Sequence, residues 1–182
     1  MQHVLGIAGR SGSGKTTLIE AMLPLLQGWG IRTSVIKHSH HDFPIEPAGK
    51  DSARFRAAGA EEVMVASPYR IALVHELRGQ GEPALEDQLA RLAPVDLVLV
   101  EGFKNADIPR IEVHRPALGL PPLYPHDAGF IAVASDTMLP TTLPVLPLSD
   151  PARIALFVCA SLGLLRHDRS AAATTLESLS PA

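Results

Sequence analysis

A single cysteine, few aromatics and no long apolar run set the first limits on this 182-residue chain. Cys159 has no partner for an internal disulfide, so the fold has to rest on its packed core. It lies in an apolar helical stretch and reads as a small buried residue rather than a reactive thiol. Aromatics make up only 4% of the residues, which leaves Leu, Val, Ile and Ala to build the interior. No stretch approaches the ~20 apolar residues of a membrane span. The first residues lack the charged and apolar regions of a secretory signal. A cytoplasmic protein with no membrane contact is therefore expected. A net charge of −3 lacks the basic footprint of a nucleic-acid binder, so no nucleic-acid partner is expected. There are no internal repeats.

What is present is the composition of a globular domain, 46% hydrophobic against 19% charged. We expect a single nucleotide-binding domain over residues 1–165. The Ala-, Ser- and Thr-rich tail over 166–182 has no hydrophobic period and reads as disordered.

The most informative stretch is Gly9-Arg10-Ser11-Gly12-Ser13-Gly14-Lys15-Thr16, a full G-x-x-x-x-G-K-[ST] motif. It follows the apolar run Val4 to Ala8 and precedes a helical pattern of Leu18, Ile19, Met22, Leu23, Leu25 and Leu26. Strand, loop and helix in that order are the context the motif requires. Glycine lets the backbone take positive φ and approach a phosphate closely. The loop N–H groups then form an anion nest at the positive end of the helix dipole. Lys15 would reach the β- and γ-phosphates, and the Thr16 hydroxyl would bind Mg²⁺. Gly9, Ser11, Gly12, Ser13, Gly14, Lys15, Thr16 and Thr17 are thus the candidate nucleotide-binding residues.

Along the rest of the chain, a helix over about 15–27 stops at Gly28-Trp29-Gly30 and a strand follows over 31–37. A polar, proline-punctuated segment, 38–52, holds three of the eight histidines. A short helix is expected from Asp51 or Ser52, as N-cap, to Ala58, with Gly59 as its stop. Residues 62–66 and 70–76 form a candidate antiparallel hairpin, and 83–92 a helix. The continuous apolar run from Leu97 to Val100 suits a central parallel strand covered on both faces. Strands over 108–114, 130–134 and 143–148 follow, with an irregular proline-rich loop over 116–125. A last helix, capped by Asp150 with Pro151 at its first position, runs to about Leu165. The sum is one three-layer α/β P-loop NTPase domain with a mostly parallel sheet and an antiparallel hairpin insertion.

Ligands of such sheets bind outside the carboxyl ends of the strands. Gly9–Thr16, 37–42, 101–104 and 135–136 should therefore meet in one crevice. Glu101 stands where a Walker B acid belongs, able to hold Mg²⁺ through water or to orient a water; the alternative is a solvated strand end. Lys15 and Glu101 are the candidate catalytic residues. Thr16, Asp42, Asp51 and Glu101 are the candidate metal contacts. In the histidine-rich segment only His38 and His40, spaced by two, share a side. They suit contacts to the nucleotide more than a zinc site, which would need further ligands. Lys50, Arg54 and Arg56 could receive a second anionic group. Asp136 could accept from N1–H and the 2-amino group of guanine, or serve as a turn residue. No Asn-Lys-x-Asp or Thr-Lys-x-Asp occurs, so spacing does not separate guanine from adenine.

Taken together, these segments resemble the MobB family of molybdopterin-guanine dinucleotide biosynthesis adaptor proteins. The resemblance runs through residues 9–18, Val35 to Phe43, Gly49 to Arg54, Asp96 to Lys104 and Pro109 to Arg115, covering residues 1 to about 136. The His-rich and Glu-Gly-Phe-Lys pieces are its specific parts. Glu46 stands where many members carry Asp, and Arg110 where many carry Lys. The resemblance implies a dimeric GTP-binding protein with Mg²⁺ and weak GTPase activity. Its partner would be the guanylyltransferase that attaches GMP to the molybdenum cofactor, with molybdopterin as a further candidate ligand. A small-molecule P-loop kinase is the alternative, and a structural dimer subunit with a vestigial loop is a third reading.

Overall fold

The β-branched and Leu-rich runs of the chain pair mainly into one parallel sheet. The structure, a computed structural model, describes residues 2–39, 42–43, 45–47, 49–103 and 106–165. In chain order its elements are β1 (His3–Ala8), α1 (Lys15–Gly28), β2 (Thr33–Lys37), α2 (Asp51–Ala57), β3 (Glu62–Ala66), β4 (Ile71–His75), α3 (Leu85–Ala90), β5 (Leu97–Glu101), β6 (Arg110–His114), β7 (Phe130–Ser135), β8 (Val145–Pro147) and α4 (Pro151–Ser161). The chain divides into two compact units, one formed by residues up to 38 and from 92 onward, the other by residues 39–91.

In the first unit six strands lie in the order β2-β5-β1-β6-β7-β8. All neighbours are parallel, so all carboxyl ends share one edge. Alternate residues of the sheet, among them Leu5, Ile7, Leu97, Leu99, Ile111, Val113, Ala132 and Ala134, join one core cluster. That cluster includes Leu18, Ile19, Met22 and Leu26 of α1 and Ile154, Ala155, Val158 and Cys159 of α4. The helix residues recur at the spacing that puts them on one stripe. Each fully buried Leu or Ile contributes about 1.5–3 kcal/mol relative to exposure. Val98 and Val100, on the opposite face of β5, are equally buried, as a continuous apolar strand requires.

Three of the helices, α1, α2 and α4, end where glycine permits. Gly30 has φ +72°, with Gly30 N–H on Gln27 O and Ile31 N–H on Leu26 O. This is a Schellman closure, and it draws Ile31 out of the following strand, which begins at Thr33 instead of 31. Gly59 closes α2 in the same way. Gly163, with φ +66°, closes α4 at Ser161, four residues before the sequence reading placed its end. Asp150 caps α4 through the Arg153 N–H at 3.0 Å, as expected. The cap of α2 is Lys50, not Asp51 or Ser52. The Ser52 hydroxyl is spent on the Glu46 carboxylate instead. The 108–114 strand begins only at Arg110, since Pro109 has no N–H to give.

The second unit holds α2, α3 and the antiparallel pair β3–β4, closed by a turn at Ser67–Arg70. Here Glu46 accepts from Ser52 and pairs with Arg56 at 3.1 Å, and Arg56 pairs with Glu76 at 2.7 Å. Arg78 donates to the carbonyls of Arg56 and Ala60, satisfying the last turn of α2. The expected α/β class, with its mostly parallel sheet and antiparallel insertion, is the fold observed. The tail 166–182 lies outside the described residues.

Candidate functional site

The loop after β1 takes the conformation its glycines allow. Gly9, Gly12 and Gly14 have φ of +147°, +77° and +101°. A Cβ on Gly9 would stand 2.4 Å from Val113 O and 2.8 Å from Ser13 Oγ, so the backbone passes β6 at a distance only glycine tolerates. Gly14 is the left-handed N-cap of α1, and Lys15 is the first helical residue. Lys15 Nζ donates to the carbonyls of Gly9 and Arg10 at 3.1 and 3.0 Å, curling over the loop. The Ser13 hydroxyl is buried without a partner among the described residues. A loop of this shape at a helix N-terminus suits an anion.

Glu101 meets this loop because of strand parity. Leu97, Leu99 and Glu101 lie on one face of β5, the face packed on α1, so the chain swaps a core residue for a carboxylate at the strand end. Its oxygens accept from Thr16 Oγ1 at 2.9 and 3.2 Å. The Glu101 side chain is only 11% exposed. Lys37, its register partner on β2, brings Nζ to 3.9 Å. Carboxylate and hydroxyl oxygens side by side form the hard-oxygen donor set that Mg²⁺ prefers.

His38 follows β2 and donates its backbone N–H to Glu101 O at 2.9 Å. Its ring lies on Phe103 with centroids 4.5 Å apart. Gly102, with φ +100°, makes room for this, since a Cβ there would come 3.2 Å from His38 O. The structure thus brings Lys15, Thr16, Glu101 and His38 to one edge of the sheet. His40 lies outside the described residues. Asp42 and Asp51 belong to the second unit, where Asp51 pairs with Arg54 at 3.4 Å. Lys50 and Arg56 are in that unit as well, and Arg56 is committed to Glu46 and Glu76. Two carboxylates on one guanidinium raise its pKa, Glu76 more than Glu46.

Residues that sequence reasoning passed over sit on β6. Arg110, Glu112 and His114 share one face and are all buried, opposite Ile111 and Val113. Glu112 accepts from the backbone N–H groups of Leu123 and Tyr124 at 2.8–2.9 Å. That contact fixes the proline-rich loop, and Arg10 holds the same loop through Pro121 O at 3.2 Å. Arg115, next after β6, donates from Nε to Ser13 O at 3.1 Å and pairs with Asp136 at 3.2 Å. The alternation Arg-Ile-Glu-Val-His was visible in the sequence, but a fully buried strand gives no cue to what its polar face meets.

Comparison with known proteins agrees with this geometry. A family model, molybdopterin guanine dinucleotide synthesis protein B (MobB), matches residues 4–136. A molybdopterin-guanine dinucleotide biosynthesis adapter protein of Escherichia coli is 40% identical over 161 residues, covering 87% of this chain and 92% of the relative. Its counterpart from Haemophilus influenzae is 42% identical over 158 residues, 85% and 86% of the two chains. A crystal structure of a molybdopterin-guanine biosynthesis protein B superposes with a TM-score of 0.68 at 31% identity, covering 89% of this chain and 99% of the other. MobB of Bacillus subtilis gives 0.67 at 25% identity, covering 91% and 99%. Family model, relatives and solved folds agree, and the chain belongs to the MobB family.

Proposed function

We propose that this chain is a GTP-binding adaptor of molybdopterin guanine dinucleotide biosynthesis, with slow hydrolysis and binding as its main task. The observation that carries the reading is the Thr16 hydroxyl on the Glu101 carboxylate at 2.9 Å, loop and strand-end acid joined in a member of this family. Gly9 to Thr17 would hold the phosphates through backbone N–H groups, with Lys15 leaving its loop carbonyls for the β- and γ-oxygens. Thr16 and Glu101 would hold Mg²⁺; when bound, the ion offsets phosphate charge. Glu101 would also orient the attacking water. His38 completes the candidate nucleotide contacts at this edge. An adaptor needs the machinery it serves: the guanylyltransferase is the proposed partner, with molybdopterin as a shared ligand and a homodimer as the working form. No helix among the described residues is long and apolar enough to cross a membrane; a cytoplasmic site of action completes the reading.

Two measurements test it. Lys15→Ala should abolish Mg-GTP binding in calorimetry while leaving the circular dichroism unchanged, and unchanged affinity would remove the loop from the account. GTP incubated with the wild-type chain should be hydrolysed slowly. Turnover in the ordinary enzyme range, ~1–10³ s⁻¹, with a small phosphate acceptor would assign a kinase instead.

A further inference from the structure

Arg115 touches the glycine-rich loop from behind. Its Nε donates to Ser13 O at 3.1 Å and its Nη1 pairs with Asp136 Oδ2 at 3.2 Å. Nε and Nη2 lie 3.8 Å from where a Cβ on Gly14 would stand, so the guanidinium runs along the backbone at the N-cap of α1. The Ser13 carbonyl and the Gly14 N–H belong to one planar trans peptide and point in opposite directions. A donor that fixes the oxygen therefore fixes the direction of the N–H. A forked, planar cation suits this task, because one side chain can hold two acceptors at a set angle.

We propose that Arg115 is a positioning residue that aims the Gly14 N–H into the anion site, and that Asp136 acts through it. This rests on reading the loop as the nucleotide phosphate site. It gives Asp136, at the end of β7, a place on the phosphate side of the crevice. Guanine recognition by a carboxylate takes both oxygens, one for N1–H and one for the 2-amino group. Here Oδ2 is already engaged by Arg115.

The two assignments of Asp136 lead to opposite results. A carboxylate that reads guanine, changed by Asp136→Asn, gains a donor that matches the C2 carbonyl of xanthine and so improves binding of xanthosine triphosphate. A carboxylate that orients Arg115 does not. In calorimetry on the full chain with Mg²⁺, Asp136→Asn and Arg115→Ala should each weaken GTP by about tenfold, the scale of one lost hydrogen bond to a charged group. The double variant should lose no more than either single one, and xanthosine triphosphate should gain nothing. In ¹⁵N spectra of the nucleotide-free chain, the Gly14 amide resonance should shift in Asp136→Asn, which does not itself touch the loop. If Arg115→Ala does not fold, Arg115→Lys, which keeps the charge but replaces the rigid planar fork with a rotatable ammonium that fixes no angle between the two acceptors, should show the same loss. Improved xanthosine triphosphate binding, additive losses or an unmoved Gly14 resonance would overturn the proposal. A wild-type chain that binds no GTP would count against the proposed function alone, since the resonance comparison decides this inference without nucleotide.

Discussion

Gly6 and Gly129 are bare because Arg110 fills the space beside each of them. A Cβ on Gly6 would stand 2.6 Å from Arg110 Cγ, and one on Gly129 2.2 Å from its Nη2. The guanidinium between them pairs with Asp127 at 2.6 Å and lies 5.1 Å from the centre of the Phe130 ring. Gly129→Ala should push Arg110 off Asp127 and cost about 1–3 kcal/mol. That corresponds to a melting temperature lower by roughly 2–12 °C for a chain of this size; an unchanged melt would contradict the packing argument. Cys159 illustrates the opposite case, a polar atom with no polar task. It is fully buried, and burial pushes its thiol up to about 11. At pH 8 the thiolate is thus a minor species, and a disulfide reagent should label Cys159 only as fast as the chain opens. Labelling at the rate of a free thiol in the native state would place it at the surface.

At the scale of elements, the second unit is fastened by charge. Its α2 carries no buried residue, and the Glu46–Arg56–Glu76 chain ties it to the segments before and after it. The Ser52 hydroxyl first, and then Arg56, hold the Glu46 carboxyl below its ordinary range, against the opposing effect of burial. A depressed carboxyl stabilises the fold above its unfolded pKa, about 4.3 for Glu, and loses that contribution as pH falls through the lower native value. The protection of α2 amides, as exchange relative to the unstructured rate at the same pH, should therefore fall below about pH 4. Glu46→Gln should flatten that dependence; equal acid sensitivity in both proteins would assign the loosening to other groups. Elements of this kind were partly legible in the sequence. The hairpin follows from two short apolar runs on either side of Ser67-Pro68-Tyr69, α1 follows from its helical period, and Asp150-Pro151 announces α4. The α4 stop at Gly163 was missed because the apolar period continues through Leu164 and Leu165, and only the left-handed glycine ends it. Glu101 was legible because a carboxylate closing an apolar strand has few structural uses. Arg115 was not, since its two partners lie 102 and 21 residues away in the chain.

At the scale of the whole molecule, a parallel sheet gathers all strand ends on one edge, and that edge carries the loop, the acid, His38 and the Arg115–Asp136 pair. Those groups are the ones proposed to hold phosphate and metal, and membership of the MobB family supplies the setting. The choice of base is the remaining discriminating property, because a kinase or a vestigial loop has no need of guanine. Calorimetric titration of the wild-type chain with GTP and with ATP, each with Mg²⁺, tests the account most directly. The account predicts one nucleotide per chain and GTP bound at least about tenfold more tightly than ATP, a difference of about 1.4 kcal/mol. Equal affinities, a preference for ATP, or no heat with either would contradict it.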